Sequence, residues 1–302
     1  MRELDAQLAL DAGCTLGEGP VWWDGALWFV DIEGRALHRY EPGDQGDDRR
    51  GGVHTRYSVP GRIGFAVPSV EHGWVIAQDS SIASFRPGDP ETAEPVELPS
   101  KLAVVEKPER STRMNDGKCD PTGRLYAGTM HMPTKDGAGA LYRFGTGVKP
   151  ELVVGDVTIS NGLAWHEASG TMYFIDTATG GVDAFDWCPE TGEMFDRRTV
   201  ATLENGYPDG MCIDREGLLW VAMWDGSRVA CVDPAKGKEI GSIRLPCPNV
   251  TSCCFGGESL DQLWITTARI GMDADALAEH PQAGGLFLAR TGALGLPTTP
   301  LR

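Results

Sequence analysis

Long apolar runs are missing from this sequence. No stretch approaches the roughly 18 residues that a membrane-spanning helix needs, so no membrane partner is expected. Basic charge is also scarce: 27 Lys and Arg stand against 43 Asp and Glu, a net charge of −16 and a sequence pI near 4.8. Binding phosphates takes clustered cations that release counterions, which excludes a nucleic-acid partner. The acidity itself is an ordinary route to solubility and marks no site. The opening residues, MRELDAQLALDAG, lack a basic segment followed by an apolar run, so no secretory signal is expected. The eight cysteines fall at irregular spacings, with neither a Cys-x-x-Cys nor a Cys/His cluster in the sequence. They read as reduced thiols of a cytoplasmic protein, without a disulfide framework or a thiolate zinc site. Gly-x-Ser-x-Gly, the phosphate-binding Gly-rich loop and His-Glu-x-x-His are all absent, which weakens serine-nucleophile, nucleotide and zincin readings. Amphipathic helices are few; Met272–His280 is the best candidate.

What is present is a repeat. Six apolar pentads begin at Leu27, Trp74, Leu125, Met172, Leu219 and Leu263 (LWFVD, WVIAQ, LYAGT, MYFID, LWVAM and LWITT). Their starts lie about 44 to 51 residues apart, the period of propeller-type repeats. Each pentad is aromatic or β-branched in character, too short for a helix and apolar throughout, as a strand buried on both faces reads. A second strand-like segment follows each one, from ALHRYEP to GLFLAR. Strands without helical crossovers exclude a doubly wound or β/α-barrel fold. The chain is expected to be all-β: one six-bladed β-propeller domain over residues 1–302, its first residues lending an outer strand to the last blade. Two stacked β-sandwiches would explain the strands but not the even spacing.

About ten residues before each pentad the chain reaches Glu18, Gly64, Asn115, Asn161, Asp209 and the Thr251–Ser252–Cys253 region. In a propeller these equivalent positions face one end of the central channel. Glycine follows most of the polar ones, allowing unusual dihedrals and close backbone approach. Glu18, Asn161 and Asp209 offer two carboxylates and an amide carbonyl, a donor set suited to a hard or borderline divalent cation. Taken singly, each Asn-Gly or Asp-Gly is an ordinary turn dipeptide; the shared phase is what singles them out. Arg113, Asn115 and Asp116 in STRMNDGK are candidates for the channel mouth, suited to hydroxyl or carboxylate groups. Arg113 could equally be a surface arginine paired with an acid. His131 in GTMHMP could line the same mouth or be structural.

The stretches LGEGPVW, RMNDGKCDPTGRLYAGTM, ISNGLAW, YPDGMCIDREGLLWVA and LPCPNVTSCCFGG…LWITTA resemble the senescence-marker-protein, regucalcin and gluconolactonase family over about Leu16 to Leu288. The resemblance implies a six-bladed propeller with a divalent metal on its axis and a sugar lactonase activity. It implies metal ligands at Glu18, Asn161 and Asp209, with Asp209 also the general acid/base, and substrate contacts from Arg113 and Asn115. His131, where some members carry acidic residues, is similar to bacterial pentonolactonase-like members and adds a third candidate substrate contact. The expected partner is a small sugar lactone. Ca2+ is the first expectation for the ion, with Zn2+, Mn2+, Mg2+ and Fe2+ as alternatives. Organophosphate or aryl-ester hydrolysis on the same scaffold and a non-catalytic metal-binding propeller are the rival functions. The sequence does not fix the sugar or choose between monomer and dimer.

Overall fold

The computed structural model describes residues 3–43, 52–88, 99–145 and 149–302. Its strands form six sheets, antiparallel but for one short outer strand. From the axis outward, blade 1 runs Gly17–Trp23, Ala26–Asp31, Ala36–Glu41 and Val53–Ser58. Blade 2 runs Ile63–Ser69, Gly73–Gln78, Ser81–Phe85 and Ser100–Val104, and blade 3 runs Thr112–Cys119, Leu125–His131, Gly139–Phe144 and Pro150–Val157. Blade 4 runs Ser160–His166, Thr171–Asp176, Gly181–Trp187 and Met194–Thr202, and blade 5 runs Tyr207–Ile213, Leu219–Trp224, Arg228–Asp233 and Lys238–Arg244. Blade 6 comprises Val250–Gly256, Gln262–Thr267 and Leu286–Arg290, completed on the outside by Gln7–Leu10 from the N-terminus. Leu4–Asp5 adds a short parallel strand to blade 5, where Arg244 pairs with Glu3 and Asp5. Each innermost strand packs against that of the next blade in one closed cycle, which two sandwiches could not produce.

The pentads are the second strands, and their unbroken apolarity has a simple cause. Successive side chains point to opposite faces of a strand, and here each face meets a different neighbouring blade. Trp28 and Val30 pack towards blade 2 while Leu27 and Phe29 pack towards blade 6. Likewise Leu219, Val221 and Met223 face blade 4, whereas Trp220 and Ala222 face blade 6. The core is therefore a set of six wedge-shaped clusters, one between each pair of blades. Full burial of a single large apolar side chain such as Trp220 contributes about 1.5–3 kcal/mol. The one α-helix among the described residues, Ala274–Glu279, falls inside the predicted Met272–His280 and is capped by Asp273, which accepts from the Ala276 N–H at 2.9 Å.

Pentads ending in aspartate use it structurally. Asp31 accepts from the backbone N–H groups of Thr15, Leu16 and Gly34 at 2.9–3.0 Å. Asp176 does the same for Thr158 and Ile159 at 3.0 Å. Each acid thus fixes the chain as it enters the innermost strand of its own blade.

The expected channel-mouth turns are strand interiors. All six innermost strands carry a register shift at the marked position: between Glu18 and Val21, Ile63 and Ala66, Met114 and Gly117, Ser160 and Leu163, Pro208 and Met211, and Val250 and Ser252. A β-bulge re-aims a side chain out of its normal alternation, and repeated around a ring it lets several blades turn side chains to one axis. The glycines serve this mostly by their size. Gly19 does use a left-handed φ of 50°, but a Cβ on Gly162 would lie 2.8 Å from both the Asp209 carbonyl oxygen and the Met211 Cγ. Gly162→Ala is accordingly expected to destabilise the fold by about 1–3 kcal/mol. It should also weaken cation binding, since the displaced backbone is that of Asp209; thermal unfolding with and without divalent cation checks both.

Candidate active site

Four of the six bulges deliver polar side chains to the axis, all buried: Glu18, the pair Asn115–Asp116, Asn161 and Asp209. Gly64 supplies none and lets the carbonyls of Met114 and Asn115 approach. Thr251 turns its hydroxyl away, donating to the Gly17 carbonyl at 2.6 Å and so tying blade 6 to blade 1. The carboxylates are steadied by the N–H of the glycine that follows each one: Gly19 on Glu18 at 2.9 Å, Gly117 on Asp116 at 2.7 Å, and Gly210 on Asp209.

The amides are oriented by a chain of hydrogen bonds. Asn161 donates through Nδ2 to Thr177 Oγ1 at 2.7 Å, and Thr177 passes its own proton to the Pro208 carbonyl at 2.8 Å. That commits the Asn161 nitrogen outward and leaves Oδ1 facing inward, where Asn115 Nδ2 donates to it at 2.9 Å. Arg113 in turn donates through Nη1 to Asn115 Oδ1 at 2.6 Å and to the Met114 carbonyl at 3.0 Å. Its Nε is buried and has no hydrogen-bond partner. A buried, unpaired donor costs about 1–3 kcal/mol, so the guanidinium is set to gain from an arriving oxygen.

The charges do not balance. Burial, then Asp116, pushes the Glu18 carboxyl up to about 8. Burial followed by the repulsion of Glu18 and Asp116 holds Asp209 well above the usual carboxylate range, and burial raises Asp116 as well. Arg113 is the cation acting on Glu18 and Asp209, and burial brings it down to about 10. Lys118, on the strand of Asp116, has its ammonium engaged by the Met211 carbonyl at 2.7 Å. Three buried carboxyls beside an inward amide oxygen form a site short of positive charge, and this donor set fits a hard divalent cation.

A cavity of about 140 Å3 touches all six innermost strands, with Asp116 and Lys118 in its wall and the C-terminal segment Leu296–Thr299 across it. Thr298 holds that segment through the Trp22 carbonyl at 2.9 Å. His131 ends the second strand of blade 3, partly exposed, with its Nδ1 against the Pro133 carbonyl. Of the residues marked by the sequence, the fold thus brings together Glu18, Arg113, Asn115, Asp116, Asn161 and Asp209, and leaves His131 outside their hydrogen-bonded set.

A second group of donors was not visible in the sequence. The Cys14 sulfur, a carboxylate oxygen of Asp31 and a ring nitrogen of His38 lie within 4.8 Å of one another, all buried. The absence of a Cys/His cluster in the sequence does not carry over to the fold, because pairing of Ala26–Asp31 with Ala36–Glu41 and the entry loop into blade 1 converge there. Linear spacing held no signal for it.

Residues 16–269 match the family described as SMP-30/Gluconolactonase/LRE-like region. A regucalcin from Danio rerio is 39% identical over 304 residues, covering 98% of each chain. Among solved structures, a luciferin-regenerating enzyme superposes with a TM-score of 0.86 at 29% identity, covering 98% of this chain and 99% of the other. A calcium-binding protein, regucalcin, from Agrobacterium tumefaciens gives a TM-score of 0.85 at 25% identity, covering 100% and 98%.

Proposed function

The chain belongs to the SMP-30/gluconolactonase/LRE-like family, and on that premise we propose that it hydrolyses a sugar aldonolactone to the aldonic acid with the help of one divalent cation. The observation that carries this reading is the buried axial cluster, with three carboxyls short of positive charge beside an inward amide oxygen and an arginine with a free Nε. Glu18, Asn161 and Asp209 would hold the cation, Ca2+ being the first choice for three oxygen ligands. When bound, the cation supplies Lewis-acid polarisation of the lactone carbonyl.

The chain's own groups do the rest. Arg113 and Asn115 form directional hydrogen bonds to sugar hydroxyls and fix the ring over the cluster, which contributes chiefly by positioning. Asp209 accepts the proton of the attacking water and returns it to the departing ring oxygen, general base first and general acid second. Its Gly210 N–H contact steadies the side chain for both duties.

The test is metal-stripped protein in a pH-stat against gluconolactone, xylonolactone, arabinonolactone and galactonolactone, with Ca2+, Zn2+, Mn2+, Mg2+ and Fe2+ restored singly. The expected outcome is spontaneous ring opening alone without metal and turnover of at least one lactone on restoring a cation. Equal turnover in chelator would remove the cation from the mechanism. Phosphotriester turnover without lactone turnover would move the chain to the organophosphate alternative.

A further inference from the structure

Blades 1 and 4 share a frame that allows an internal comparison. In both, the aspartate ending the pentad binds the two backbone N–H groups leading into the innermost strand: Asp31 with Thr15 and Leu16, Asp176 with Thr158 and Ile159. The residue just before those two is Cys14 in blade 1 and Val157 in blade 4. The third-strand residue opposite the pentad phenylalanine is His38 against Phe29 in blade 1, and Asp183 against Phe174 in blade 4. Asp183 is fully accounted for by Arg197 and Thr199 at 2.7–2.8 Å. The aspartate lock therefore needs neither a thiol nor an imidazole, yet blade 1 places both within 4.8 Å of the lock carboxylate.

His38 supplies an independent sign of a missing ligand. It is 2% exposed, and its Nε2 is buried with no hydrogen-bond partner. Its other nitrogen is occupied, since Nδ1 lies 2.9 Å from Nε2 of the exposed His54. With the proton on Nδ1 donated to His54, the Nε2 lone pair is left free, the arrangement in which a metal-ligating histidine is held by an outer partner. Asp31 Oδ2 accepts a single N–H and keeps a lone pair. The arginines acting on the thiol, Arg269 and Arg56, have guanidinium nitrogens engaged by the carbonyls of Ala283 and Gly34.

We propose that Cys14, Asp31 and His38 form a second metal site, separate from the axial one, that takes a thiophilic divalent cation of the zinc class. Sulfur, imidazole nitrogen and carboxylate oxygen are zinc's usual protein ligands, whereas Ca2+ takes oxygen donors. Three protein ligands leave one position for water. The site lies where the segment following the N-terminal strand of blade 6 enters blade 1, so the ion pins the closure of the ring.

Cobalt(II) separates the two sites, because a thiolate ligand gives a near-ultraviolet sulfur-to-cobalt charge-transfer band that an all-oxygen site cannot. Full-length protein produced in cobalt-supplemented medium is expected to show that band and to carry one more cobalt per chain than Cys14→Ser, which loses the band. Cys14→Ser should keep lactone turnover, as Cys14 takes no part in the axial cluster. Should Cys14→Ser fail to fold, His54→Ala carries the test on an exposed side chain. Loss of the outer partner is expected to weaken Zn2+ binding at the Cys14 site by roughly 10–100-fold in chelator competition, without changing the lactone KM. Absence of the band in wild type, its persistence in Cys14→Ser, or unaltered Zn2+ affinity in His54→Ala overturns the site.

Discussion

Asp209→Ala is expected to lower kcat for lactone hydrolysis by roughly 10²–10⁴-fold, the usual contribution of general acid–base catalysis, and to weaken cation binding at the same time. The fold should survive, because Asp209 belongs to none of the inter-blade clusters while its neighbour Met211 holds the strand in the blade 4–5 core. The metal-free variant should be no less stable than metal-free wild type above neutral pH, since the change removes a buried carboxyl that Glu18 and Asp116 repel. Asp209→Asn separates the two duties. It keeps an oxygen donor and should bind the cation better than the alanine variant, yet it cannot take a proton and should remain slow. Steady-state kinetics, calorimetric cation titration and thermal unfolding on the three proteins read these effects; turnover at the wild-type rate in either variant removes Asp209 from the chemistry.

The second large effect is a pH dependence that appears only when the cation is removed. Glu18 has its folded-state pKa raised from 4.5 to about 8, mainly by burial and then by Asp116. A raised carboxylate means that the native state binds more protons than the unfolded chain between those two values. Stability then falls as pH rises through that window. At about 1.4 kcal/mol per pKa unit, the loss is on the order of a few kcal/mol from Glu18, with Asp209 acting in the same direction. A divalent cation matches the carboxylate form, so saturating metal should flatten the slope and raise the whole curve. Denaturant melts of chelated and metal-loaded protein from about pH 5 to about pH 8 measure it. Metal-free stability that holds level or climbs across the window contradicts the burial of these carboxyls. Asp116→Asn should shallow the slope, because Asp116 is the leading charge acting on Glu18.

Much of the architecture was open to reading from the chain. The repeat of LWFVD-like pentads gave the blade number because a strand wedged between two blades must be apolar on both faces, as Trp28 and Phe29 show. The common phase of Glu18, Asn115, Asn161 and Asp209 was equally visible, since equivalent residues of equivalent blades meet on the axis. How they get there was not: Asn161-Gly162 and Asp209-Gly210 read as turns but are bulges inside strands. A bulge depends on the partner strand's register, which no local pattern records. His131 pairs with Thr112, beside Arg113 on the neighbouring strand, yet turns its Nδ1 to the Pro133 carbonyl, a choice made by its own loop.

What the sequence determined by itself was the sixfold period and the chemical kind of residue offered to the centre, both consequences of spacing along one dimension. Only the tertiary structure decided which end of the Asn161 amide faces inward, how far burial shifts Glu18 and Asp209, and that Cys14, Asp31 and His38 come together. Those are properties of neighbours in space. Desolvation and hydrogen-bond direction are set by atoms from other blades, and the ring must close before any of them is in place.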